Sequence, residues 1–145
     1  MKAKSGFTLV EILIVVVILG ILAAIVIPQF TEASTEAKTS SLCTDLQTMR
    51  SQIELYKIQH NDALPGANAA TTFEEAMTGT TDVDGAIGGS YGPYIQQIPT
   101  NQFNDESGID SGVVSPPPVN DAFGWYFNTN TGAFHACDSA EHAAL

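Results

Sequence analysis

Glu11 is the one acid in an apolar run that begins at Phe7 and continues almost unbroken to Ile27. An ionised acid at the centre of a membrane-spanning helix costs roughly 2.5–3.5 kcal/mol on insertion scales. A carboxylate in such a place therefore marks a functional site and calls for a partner. The chain can make that partner itself. Scission after Gly6 would give Phe7 a free α-amine, four residues before Glu11. An ammonium offsets the cost of a buried carboxylate, and removing either member of the pair is strongly destabilising.

Other candidates for chemistry are weaker. Asp82-Val83-Asp84-Gly85 begins like a calcium loop, but Pro93 stands at position twelve of that loop, where a bidentate Glu is needed. His60, His135 and His142 show no ligand spacing and read as surface or capping residues. Neither a phosphate-binding glycine loop nor a Ser or Cys with a matching His pattern occurs, so the chain is not expected to be an enzyme. Cys43 and Cys137 are the two cysteines. Outside the cytoplasm an even count favours one disulfide. Closing a loop of about 94 residues would stabilise the fold by roughly 4–5 kcal/mol in the chain-entropy account. Two separate buried thiols is the other reading, and strand geometry favours it. If 133–137 is a strand, Cys137 shares a face with Ala133 and His135 while Phe134 points the other way.

The elements that must position these residues follow from periodicity. Phe7 to Ile27 is 21 residues, about 31 Å as a helix, which matches a hydrocarbon core of roughly 30 Å. Lys2 and Lys4 favour a cytoplasmic N-terminus. Beyond Pro28, apolar or small residues recur at Phe30, Ala33 and Ala37, then at Leu42, Leu46, Met49, Ile53 and Tyr56 with 4-3-4-3 spacing. That pattern predicts an amphipathic helix, ended between His60 and Leu64 by the stop signal Pro65-Gly66. A short helix is expected at Thr72–Met77. Gly124–Phe127 and Ala133–Ala136 read as strands of a hairpin through Asn128-Thr129-Asn130-Thr131-Gly132. Two strands alone are marginal, so a third is sought at about 110–115. The expected class is α+β: one long N-terminal helix, half membrane-embedded and half amphipathic, packed on a small C-terminal antiparallel sheet. The segments are 1–6 as leader, 7–28 as membrane and assembly helix, 29–62 as stem helix and 63–145 as head.

Composition limits the partners. The chain carries five basic and 16 acidic residues, a net charge of −11. Cleavage after Gly6 would leave Lys38, Arg50 and Lys57 as the only cations, all on the stem. Direct nucleic-acid binding is not expected from such a surface, because phosphate affinity rests on Lys and Arg.

Ser5-Gly6-Phe7-Thr8-Leu9-Val10-Glu11 closely resembles the processing site of type IV prepilins and pseudopilins, a match that extends over about 28 residues. The resemblance implies a membrane-embedded peptidase that cuts between Gly6 and Phe7 and then N-methylates the Phe7 amine. It also implies that Glu11 meets the Phe7 amine of a neighbouring subunit during assembly. Gly20 and Pro28 sit where family members commonly have helix-loosening residues. In the head, Gly92-Pro93-Tyr94 with Ile98-Pro99 is similar to an element of major pseudopilins of type II secretion. Asp121-Ala122-Phe123-Gly124-Trp125-Tyr126 is similar to their Asp-Pro-Trp-Gly element, with the Pro missing and Phe123 in place of Trp. Major pseudopilins often hold one calcium in the loop before the final strands. Asp105, Glu106, Asp110 and Asp121 are the candidate ligands here, and calcium is the one cofactor the resemblance implies.

Three readings stand at this point. The favoured one is a pilin-like pseudopilin of a type II secretion system, forming a helical homopolymer. Its partners would be the prepilin peptidase and methyltransferase, an inner-membrane assembly platform, minor pseudopilins, and membrane lipid before assembly. It would cross the bacterial inner membrane once, with its head in the periplasm. The alternatives are a type IV pilin of a surface filament and an unassembled signal-anchored binding module.

Overall fold

A computed structural model of the chain describes residues 6–145; Lys2, Lys4 and the rest of the leader up to Ser5 lie outside the described residues. Two compact units are present, Met1–Ala37 and Lys38–Leu145. Helix α1, Leu9–Gln59, contributes to both.

In the first unit α1 is apolar and uncovered. The side chains from Leu9 to Ile27 are exposed throughout, and the helix is long and apolar enough to cross a membrane. The helix continues through Gly20 and Pro28. Pro28 removes one backbone donor from the ladder. Just beyond it the Thr31 hydroxyl donates to the Ile27 carbonyl at 3.1 Å.

In the second unit the expected seam is the buried one. Leu42, Leu46, Met49, Ile53 and Tyr56 are all at most 2% exposed. They share a core with Phe73, Ala76 and Met77 and with Trp125, Phe127, Phe134 and Ala136. Helix α1 ends at Gln59, where Asn61 and Asp62 turn the chain with positive φ. His60, expected at the surface or as a cap, is buried at that end. Its Nδ1 donates to the Tyr56 carbonyl at 2.8 Å, its Nε2 meets Thr81 Oγ1 at 2.9 Å, and its ring stacks on Tyr56. The short helix α2 is Phe73–Thr78, opened by a capping box between Thr72 and Glu75. That pairing satisfies orphan donors at both residues.

The head sheet has three strands, β1 Ile109–Gly112, β2 Trp125–Asn128 and β3 Phe134–Ala136, in the order β1-β2-β3. The hairpin is as expected: β2 and β3 are antiparallel, with Phe127 opposite Phe134. Gly132 takes φ 76° in the turn, and Asn128 Oδ1 accepts from the amides of Asn130 and Thr131. The third strand corrects the expectation of an antiparallel sheet, because β1 runs parallel to β2. A parallel neighbour needs a crossover of about a dozen residues, and the segment between Gly112 and Trp125 supplies it. This crossover covers the sheet face that α1 does not reach. The buried Tyr126 hydroxyl donates to the Val114 carbonyl and accepts from its amide, and Cys137 Sγ donates to the Pro118 carbonyl. All four residues of β2 are consequently buried.

That arrangement also corrects the disulfide. Cys43 and Cys137 are free thiols, Cys43 exposed and Cys137 buried. Phe134 and Ala136 enter the core with α1, which puts Cys137 under the crossover by strand alternation. Burial pushes the Cys137 thiol up, reinforced by the fields of Asp110, Asp138 and Asp121 and opposed by a bond from the Asn120 backbone. Such an environment disfavours the thiolate, which is the reactive form of the side chain.

Arg50 ties the stem to the far end of the chain. Its Nε and one terminal nitrogen donate to the Phe134 carbonyl at 3.1 and 2.9 Å, and the other donates to the Leu145 carbonyl at 3.0 Å. His135 Nδ1 reaches the Ala143 carbonyl at 2.9 Å, linking β3 to the closing turn His142–Ala144. Burial holds the His135 imidazole below the usual histidine range, with the Arg50 charge acting the same way and the Ala143 bond opposing both.

Candidate functional site

The start of α1 is built by a local device. Thr8 precedes the helix, and Glu11 is the third residue within it. Glu11 Oε2 accepts from the Thr8 amide at 2.7 Å and from the Thr8 hydroxyl at 2.8 Å. In return Thr8 Oγ1 accepts from the Glu11 amide at 3.2 Å. This is a capping box, and it sets a carboxylate at a helix N-terminus, where the peptide dipoles favour negative charge. Both bonds from Thr8 fall on Oε2, so Thr8 does not occupy Oε1. Phe7 is 84% exposed beside them.

Glu11 therefore has a partner within its own chain besides the amine that cleavage would create. Thr8 is the residue that sequence reasoning missed. Its signal was legible, since Thr8-Leu9-Val10-Glu11 has the capping-box spacing at the head of an apolar run. At Gly20 an added Cβ would meet no atom within 4 Å, so packing inside this chain does not demand the glycine.

The proposed calcium ligands do not assemble. Asp105, Glu106 and Asp121 are exposed, and Asp110 is half-buried on β1. Among the described residues no group of three or more His, Cys, Asp and Glu side chains is placed to hold a metal ion. The loops in question are joined by amides instead. Asn104 Nδ2 donates to the Phe123 carbonyl at 2.8 Å, and Asn101 Nδ2 donates to the Gly124 carbonyl at 3.0 Å. The residues present do not fit the ion.

An apolar N-terminal helix opened by a Thr8–Glu11 cap, together with a small α+β head, defines a type IV pilin-like subunit anchored in a membrane. Residues 1–27 match the prokaryotic N-terminal methylation motif. The chain is 30% identical to type II secretion system core protein G of Vibrio cholerae over 108 residues, 73% of this chain and 70% of that protein. It is 42% identical over 59 residues to core protein G of Pseudomonas aeruginosa, which is 41% of this chain and 42% of that protein. A fimbrial protein of P. aeruginosa is 32% identical over 87 residues, 59% of this chain and 56% of that protein. The chain thus spans about half the length of these two Pseudomonas relatives. No solved structure matches it. On the Vibrio match, the chain belongs to the family of type II secretion system core protein G.

Proposed function

We propose that the chain is the structural subunit of a type II secretion pseudopilus and performs no catalysis of its own. The observation that carries this reading is the Glu11 carboxylate, capped by Thr8 through Oε2, at the head of an apolar segment that is exposed from Leu9 to Ile27. Before assembly the helix spans the inner membrane with the head in the periplasm. A prepilin peptidase removes the leader after Gly6 and methylates the Phe7 amine. An assembly platform then draws subunits from the bilayer into a helical homopolymer, which minor pseudopilins cap or initiate.

The geometry supports the following physical steps. Apolar helices exchange lipid contacts for contacts with one another, so extraction loses little hydrophobic free energy. The Phe7 ammonium of an incoming subunit binds Glu11 Oε1 of its neighbour while Thr8 keeps Oε2 occupied. Each new helix is thereby registered against the last. Gly20 gives a neighbouring helix room for close approach, and Pro28 weakens the ladder where the apolar segment ends.

The likeness to a fimbrial protein supports a second reading, a surface filament. An export assay separates them. In a cell that depends on this chain, deleting it is expected to leave secreted enzymes in the periplasm, with no loss of surface fibres. Normal export, or disappearance of long fibres at native expression, contradicts the pseudopilus.

A further inference from the structure

A cation closes a loop by gathering oxygens, and in this head side-chain N–H groups gather them. Asn101 is fully buried. Its Nδ2 donates to the Gly124 carbonyl at 3.0 Å and to Asp138 Oδ1 at 2.7 Å, and its Oδ1 accepts from the Phe103 amide at 3.0 Å. The Asn101 backbone is engaged too, donating to the Glu106 carbonyl and accepting from the Asp105 amide, both at 2.9 Å. Asp138 Oδ2 accepts from His142 Nδ1, and the His142 ring lies 4.1 Å from that of Phe103. Trp125 Nε1 donates to the Pro99 carbonyl at 2.7 Å. Three stretches, 99–106, 124–125 and 138–142, are thus joined around the buried Asn101.

Both Asp138 oxygens are engaged, and the Gly124 carbonyl also accepts from the Cys137 amide. The chain passes so close that a Cβ on Gly124 would lie 2.1 Å from the Glu106 carbonyl oxygen. A buried amide with all its groups satisfied is favourable, whereas a partly satisfied one is costly. The node therefore works only as a complete set.

We infer that Asn101, Asp138 and His142 replace the calcium that the pseudopilin resemblance implies, and that the head closes without a divalent cation. The expectation of calcium rests on the family reading; the node itself does not.

The test is thermal unfolding of the full chain in detergent micelles, followed by fluorescence of Trp125, the single tryptophan. Calcium, magnesium at equal ionic strength, and a chelator are compared. Midpoints in calcium and magnesium are expected to agree within about 1 °C, because an ion that does not bind the native state adds no linkage stabilisation. An equal rise with both ions is screening of the acidic surface and agrees with the inference. A calcium-specific rise of several degrees, reversed by the chelator, overturns it. His142→Ala is expected to lower the midpoint by about 4–8 °C, equally with or without calcium. An unchanged midpoint in that variant also overturns the inference. Because the readout is head stability, it is independent of the export assay.

Discussion

Trp125→Ala is expected to remove about 3–5 kcal/mol from the stability of the head. Trp125 is fully buried, stacks on Phe134 and donates to the Pro99 carbonyl. Its loss would leave a large void between β2 and the stem seam and would orphan a carbonyl beside Asn101. Single domains are stable by only about 5–15 kcal/mol, so a substantial share of the variant should be unfolded under mild stress. Urea denaturation followed by circular dichroism reads this directly, with a midpoint lower by about 1–3 M. Trp125→Phe keeps the stack and most of the volume and should lose distinctly less. A midpoint for Trp125→Ala within about 0.3 M of the parent would contradict the core described above.

Glu11→Ala is expected to leave leader removal largely intact and to abolish polymerisation. Breaking a buried ion pair by deleting one partner costs about 3–5 kcal/mol, equivalent to roughly 10²–10³-fold or more in subunit affinity. The capping box supplies a sharper comparison. Glutamine can keep the cap on Thr8, since Gln serves as well as Glu at that position, but it cannot pair with an ammonium as a charge. If the charge pair registers subunits, Glu11→Gln fails to assemble as Glu11→Ala does. Filaments from Glu11→Gln at parental yield would mean that the cap is the whole role of the residue.

Much of the fold could be read from the chain because it depends on local signals. The 4-3-4-3 seam from Leu42 to Tyr56 fixed the buried face of the stem helix, and the Asn and Gly residues of 128–132 fixed the hairpin. The direction of β1 could not be read in the same way. A four-residue strand pairs in either sense, and the path of its crossover decides, which is a tertiary property. Cys137 illustrates the same limit, since its burial depends on the crossover lying over it.

The N-terminal site was more legible than the head. Glu11 stands out by its charge in an apolar setting, and Thr8 carries a capping signature three residues before it. By contrast, Arg50 looks like any polar-face cation until the Phe134 carbonyl is seen against it. Asn101 has no flanking pattern at all, and its partners lie 23 and 37 residues away. The acids expected to hold calcium are those ahead of the final strands, where the resemblance implies a calcium loop. Folding left three of the four exposed and gave the work of closing the loops to amides.

A subunit that is processed and then held in a filament within the envelope is distinguished by its mature N-terminus. Cells expressing the chain at native level would be sheared, and the protein in the envelope and in the sheared fraction analysed by mass spectrometry. A pseudopilus subunit is expected to begin at N-methylated Phe7 and to be retained in the envelope. Mature protein that still carries Met1–Gly6, or processed protein recovered chiefly as sheared surface fibres, would contradict it.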